Sequence, residues 1–206
     1  MAQDFLHRYT NLPALIYLLK ERKITLLDPQ SWDDKNDSYF LQLYKEKKNL
    51  KTVLALCFTQ QGETYQHWHI FAPGSSGIRV EFRREPLLKA LKKKAGIRDG
   101  RVDYLTLNGI DKTPIALEKL PFLKRHAFKP EDEYRLTFES KTTKMPSLNI
   151  PIPLTCIRRI TLSPWMPPVL DAHVKDVIKT LAPRAKIYRS TLISNDRWKK
   201  AGEGAV

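Results

Sequence analysis

The sequence predicts an α+β fold in a single domain, on three observations. Strand-length apolar runs with alternating character recur along the whole chain. Helical-period segments stand between some of these runs, without the strict alternation that a doubly wound parallel sheet requires. No Pro/Gly/Ser-rich, low-complexity or repeated tract divides the 206 residues, a length that supports one sizeable core. The domain is bounded at 1–196, with a basic tail at 197–206.

Taken in order, residues 5–10 read as a first strand. Asn11 then stands where a helix N-cap should, with Pro13 in the first turn and Leu12, Leu15, Ile16 and Leu19 at helical spacing. Residues 24–27 form a strand ended by Asp28-Pro29, 32–37 are turn-like, and Tyr39, Phe40, Leu43 and Tyr44 mark a helix with a basic outer end. Residues 53–59 are a buried strand, 66–71 a short helix and 74–77 a glycine break before the alternating strand of Ile78, Val80 and Phe82. An amphipathic helix with a lysine face follows at 86–95, then a strand at 101–107 and a helical stretch at 114–126. Strands at 134–139 and 150–154 flank a polar loop at 141–147, residues 156–162 form another, 167–181 are the longest helix and 187–193 the closing strand. The tail reads as frayed.

The formal net charge of +14, from 36 basic and 22 acidic residues, points to a polyanionic partner. Lys92, Lys93 and Lys94 in one cluster and Lys124, Arg125 and Lys129 in another are the candidate nucleic-acid contacts, giving salt-dependent, sequence-independent affinity. The bland alternative is a set of solvated basic faces. No run is long enough to span a membrane and the N-terminus lacks a secretory profile, so the expected setting is cytoplasmic, with no membrane partner. Cys57 and Cys156 sit in apolar strand-like runs and read as buried thiols. His67-x-His69 lacks a third ligand at metal-binding spacing, so no metal is expected. A glycine-rich phosphate loop is absent too, which argues against P-loop and dinucleotide-binding βαβ sites.

Several short motifs occur in one order: Arg8-Tyr9, Trp32-Asp33-Asp34-Lys35-Asn36-Asp37, Cys57-Phe58-Thr59, Trp68-x-x-Phe71, Gly77-Ile78-Arg79-Val80-Glu81-Phe82 and Glu131-Asp132-Glu133-Tyr134-Arg135. In this order the chain resembles the bacterial family of domain of unknown function 2971, departing from it at Asp33, Lys35, Thr59 and Phe71. More remotely, the opening Arg8-Tyr9-Thr10-x-Leu12, the mid-chain hydroxyl and the late Glu-x-Glu are similar to the Arg, Ser and Glu signature of ADP-ribosyltransferases, including DNA-targeting toxins of that fold.

That resemblance implies a split β-sheet core with flanking helices, NAD as substrate, and nucleic acid or an associated protein as acceptor, with a toxin or phage-defence role and an antitoxin as a further partner. It assigns Arg8 to the NAD phosphates through its bidentate fork, and Tyr9, Thr10, Trp68 and Phe71 to the rest of the dinucleotide. Thr59 is to orient the later glutamate, Glu133 to hold the ribose and stabilise positive charge at the anomeric carbon, and Glu131 to act as general base toward the acceptor. Two alternatives stand beside it. Arg8, Glu133 and Arg135 also read as structural ion pairs, with Trp68 and Phe71 as core; and the chain also reads as a noncatalytic basic nucleic-acid-binding or regulatory interaction protein.

Overall fold

The computed structural model describes residues 4–112 and 114–203. Strand β1 (Phe5–Asn11) passes into helix α1 (Leu12–Glu21) without a loop: the Asn11 side chain accepts a hydrogen bond from the Ala14 N–H at 2.9 Å while Pro13 occupies the first turn. Strand β2 (Lys23–Leu27) and a 3-10 turn at Pro29–Ser31 lead to helix α2 (Lys35–Lys47). Strand β3 (Thr52–Thr59), helix α3 (Tyr65–Phe71), strand β4 (Gly77–Arg83), helix α4 (Arg84–Leu91) and strands β5 (Ile97–Arg101) and β6 (Asp103–Leu105) follow. Next come helix α5 (Leu107–Ile110), strand β7 (Leu123–Arg125), and strands β8 (Glu133–Ser140), β9 (Ser147–Pro151) and β10 (Ile157–Leu162). Helix α6 (Pro168–Leu181), strand β11 (Lys186–Arg189) and helix α7 (Asp196–Glu203) complete the described chain.

Among the described residues nine strands form one sheet in the order β11-β10-β4-β1-β3, with β3 then shared. Along its whole length β3 pairs antiparallel with β8, whose other edge takes β5. It meets β1 at the single register pair His7↔Thr59 and β2 at the single pair Leu27↔Ala55, with β9 beyond β2. The sheet is therefore split: β1 and β2 part from β3, and α1 connects them. The α+β class holds, as a single domain with a central sheet and flanking helices. The core packs Leu15, Leu18 and Leu19 of α1 and Ile178 of α6 against Leu6, Ile78, Val80, Phe82, Ile160 and Leu162 of the sheet.

Several expected elements differ. Instead of a helix at 114–126 there is a 3-10 helix at Leu117–Phe122 and then β7, because Pro121 lacks an N–H and obstructs an α-turn; Thr113 lies outside the described residues. The strand expected at 101–107 divides into β5 and β6, each paired with a different partner. Helix α4 starts and ends earlier than 86–95, and Gly96 supplies the turn into β5: its φ is +87°, and a Cβ there would meet the Glu139 carbonyl oxygen at 2.5 Å. Strands β9 and β11 begin before the expected 150 and 187. Asp34 caps α2 through Asn36 and Asp37, so the expected turn at 32–37 already contains the helix start. Where a frayed tail was expected, α7 is helical and exposed as far as Glu203, and residues 204–206 lie outside the described part. Among the described residues no helix is long and apolar enough to cross a membrane.

Candidate functional site

A cavity of about 460 Å³ opens where the sheet splits, within the size range of ligand sites. Strand β1 contributes His7, Arg8 and Tyr9, and β3 contributes Ala55 through Thr59. The segment before α2 adds Trp32, Asp33 and Asp34, α3 adds His67, Ile70 and Phe71, and the far wall is Lys124, Phe128, Glu131 and Glu133.

On that far wall stands a compact charge cluster. Arg135 is fully buried and spends all five donors: Nη1 and Nη2 reach the two Asp37 carboxylate oxygens at 2.7 and 2.6 Å, Nε and Nη2 reach Glu133 at 2.6 and 2.9 Å, and Nη1 reaches the Pro121 carbonyl at 3.0 Å. Lys124 Nζ lies 2.7 Å from Glu131, 3.6 Å from Glu133 and 3.7 Å from Asp37. Three carboxylates thus face two cations. Burial alone would raise the Glu133 carboxyl; the Arg135 charge, with help from Lys124 and the Cys57 S–H, reverses this and holds it below the ordinary carboxylate range. Burial prevails at Glu131 and raises it in spite of Lys124, which suits a group that exchanges a proton.

Arg8 is the opposite case. It lines the cavity half-buried, and among the described residues it makes no ion pair. Burial pushes it below the ordinary guanidinium range, and Cys57 is the neighbour that opposes this. Arginine does not shed its proton in proteins, so this wall presents a permanent, partly desolvated cation, a standing cost that a bound anion would offset.

His7 and His67 frame the same opening, and both are neutral. Burial, then Arg79, Arg159, His67 and Arg158, lowers His7 from 6.5 to about 3. Arg79 Nη2 donates to His7 Nδ1 at 2.9 Å, so Glu81, at 3.9 Å from that same nitrogen, has no imidazolium to pair with. His67 Nδ1 accepts from the Thr64 hydroxyl and Nε2 donates to the Glu131 carbonyl at 3.3 Å. The depressed His7 has a pH signature. Below 6.5 the unfolded chain takes up a proton that the folded chain refuses until about 3, so this stability is present above the unfolded value and lost on acidification. His7→Gln keeps an acceptor for Arg79 but cannot titrate. Urea titrations at neutral and mildly acidic pH are expected to show wild type losing about 2 kcal/mol more than the variant over two pH units; equal losses would remove His7 as the cause.

Arg8, Tyr9, Thr59, Phe71, Glu131 and Glu133 share this cavity. The roles of some differ from expectation. Thr59 Oγ1 donates to the Glu131 backbone carbonyl at 2.6 Å and accepts from Gln61 N–H at 2.9 Å, so it anchors the segment before Glu133, not a carboxylate. Glu131 closes a 3-10 helix at His126–Glu131, Asp132 has φ +41°, and β8 begins at Glu133. Lys124 brings the two carboxylates together. Trp68 is wholly buried, donates to Glu63 at 2.8 Å and meets Tyr9 edge-on at 5.1 Å; it is core, not a stacking surface. Thr10 does not line the cavity. Among the nucleic-acid candidates, Lys124 is half-buried among carboxylates, Lys92 pairs with Asp99 at 2.7 Å, and Lys92, Lys93, Lys94, Arg125 and Lys129 are exposed.

Sequence reasoning missed Asp37, His7 and His67 as wall residues. The N-cap signal at Asp34 was available locally; the Asp37–Arg135 pair, 98 residues apart, was not. The three carboxylates are already engaged by Arg135 and Lys124, and among the described residues no group of His, Cys, Asp and Glu is arranged to hold a metal ion.

No family model matches the chain, and no curated protein matches it. Solved structures of DarT from Thermus sp. 2.9 are similar to it in arrangement. The complex with ADP-ribosylated single-stranded DNA is 11% identical with a TM-score of 0.47, covering 92% of this chain and 95% of that one. The complex with carba-NAD+ is 12% identical with a TM-score of 0.46, covering 93% and 97%. The complex with NAD+ is 11% identical with a TM-score of 0.47, covering 92% and 96%.

Proposed function

We propose that the chain is an NAD-dependent ADP-ribosyltransferase acting on nucleic acid or a nucleic-acid-associated protein. One observation carries the reading: a cavity at the sheet split has on one wall an arginine without a counterion among the described residues, and on the other an ion-paired Glu133 beside Glu131, whose carboxyl burial raises. Arg8 would grip the pyrophosphate with its fork. Glu133, kept ionised by Arg135, would hold a ribose hydroxyl and stabilise the positive charge that develops as the nicotinamide bond breaks. Glu131 would take the proton of the acceptor nucleophile. Phe71, on the rim of the cavity, offers a ring surface for nicotinamide.

Arg8 provides the direct test of the reading. Calorimetric NAD binding to wild type and Arg8→Gln is expected to differ by about ten- to a hundredfold, the worth of a charged hydrogen-bonded contact of about 1.5–3 kcal/mol. The variant should melt no lower than wild type, because it loses an uncompensated cation. Equal NAD affinity in the two proteins would sink the assignment, as would no NAD binding by wild type.

A further inference from the structure

We infer that the sheet face at β10 and β11, beside the buried row that runs through Glu81 to His7 at the cavity, is the track of a single-stranded nucleic acid, its phosphates held by Arg159 and Lys186. Calling that strand the acceptor rests on the transfer reading above; the binding face itself does not.

Register places the face. One row across the sheet is His7↔Glu81↔Arg159↔Lys186, and the next is Tyr9↔Arg79↔Thr161↔Tyr188. His7 pairs in turn with Thr59, which pairs with Glu133, so the row reaches the cavity wall. His7 and Glu81 along it are buried, as are Arg79 and Thr161 in the next row. The alternate residues of the same strands, Leu6, Val80, Ile160 and Leu162, point into the core under α1 and α6. Helix α3 covers the Tyr9 end of the face. Beyond it the outer strands are open: Lys186 and Tyr188 are exposed, and Arg158 and Arg159 are half-buried.

Charge identifies the occupant. Among the strand positions of these two rows Glu81 is the one acid, and Arg158 pairs with it. Arg79, Arg159 and Lys186 face no other carboxylate in the rows. Among the described residues the buried Nε atoms of Arg79 and Arg159 have no hydrogen-bond partner, a cost that native proteins rarely leave unexplained. Burial is the main cause of the lowered His7, and the further lowering by Arg79, Arg159 and Arg158 follows the same excess of positive charge at the cavity edge. The guanidinium of Arg159 lies 5.3 Å from the centre of the exposed Tyr188 ring, and cations interleaved with an exposed aromatic on a sheet face match what a single strand requires, since phosphates meet arginine while bases stack on the ring. A duplex would hide its bases from that ring. In the lysine-rich runs, Lys92 and Lys124 are paired with Asp99 and with the cavity carboxylates, while Lys93, Lys94, Arg125 and Lys129 stay exposed.

The test is fluorescence anisotropy of a labelled single-stranded DNA of about 12 nucleotides, within the range one small module covers, over a salt series. Removing two cations from the face, Arg159→Gln with Lys186→Gln, is expected to weaken binding at least tenfold and to flatten the slope of log K against log salt by about 1.4, at about 0.7 per phosphate contact. Removing two cations from the outer end of α2, Lys45→Gln with Lys47→Gln, should change affinity less than about twofold. An equal loss in both proteins means that net charge alone binds, and no loss in the first means that the face is idle; either overturns the proposal. Should the first variant melt early, Tyr188→Ala at the exposed rim replaces it: a loss of about tenfold is expected from one stacked base, and unchanged affinity overturns the proposal. Nicotinamide release to water, measured in parallel, should be the same in all these proteins. If wild type binds through this face but cleaves no NAD, the transfer reading fails and the binding face stands.

Discussion

Glu133→Gln is expected to slow nicotinamide release from NAD by about a hundred- to a thousandfold, the usual loss when a group aimed at transition-state charge is removed. The substitution keeps the shape and one acceptor for Arg135. It also turns an amide N–H toward a guanidinium that has only donors, in a site where both Glu133 oxygens now accept at 2.6 and 2.9 Å, so folding stability should fall by about 1–3 kcal/mol. The rate must therefore be read well below the melting temperature. Glu131→Gln provides the contrast: as acceptor base it should abolish transfer to nucleic acid while leaving hydrolysis of NAD by water within a few-fold. If both variants only lower the melting point, and wild type releases no nicotinamide, the cluster is structural and the transfer reading is lost.

Arg135→Met should be the most damaging substitution for folding, at about 3–5 kcal/mol, because it strands Asp37 and Glu133, both almost fully buried, without the cation that neutralises them. Lys124, at 3.6 and 3.7 Å, is a partial substitute already engaged with Glu131. Urea unfolding of Arg135→Met, Asp37→Asn and the double variant measures the coupling. The double variant should recover part of the loss, since it removes a charge that the single variant orphans. A cost under about 1 kcal/mol for Arg135→Met would show that Lys124 alone neutralises the wall. Arg135 touches no cavity opening of its own; it is a positioning residue that sets the ionisation and orientation of Glu133.

Signals that act over a few residues were readable in the chain. The Asn11 cap with Pro13 announced α1, the apolar run at 53–59 announced β3, and alternation through Ile78, Val80 and Phe82 announced β4, which the structure starts one residue earlier at Gly77, where a Cβ would strike the Ala72 carbonyl oxygen at 2.2 Å. Local reading erred where a partner decides the outcome. The stretch 114–126 reads as helical, yet Pro121 and pairing with β6 make it a 3-10 turn and a strand. Trp68 and Phe71 share one helix and one spacing, and only their surroundings separate a wholly buried core ring from a rim residue of the cavity.

By itself the sequence determined the class of fold, the order of most elements and the excess of positive charge, because propensity, capping and net charge are properties of neighbours or of sums. The tertiary structure alone decided which of those charges are spent and which remain. Arg135 and Lys124 are cancelled by carboxylates, one of them 98 positions away, whereas Arg8 is left without a counterion on a half-buried wall and Arg159 and Lys186 are left on an open face. Coulomb interaction depends on distance through space and on exclusion of water, and the separation of two charges along the chain encodes neither.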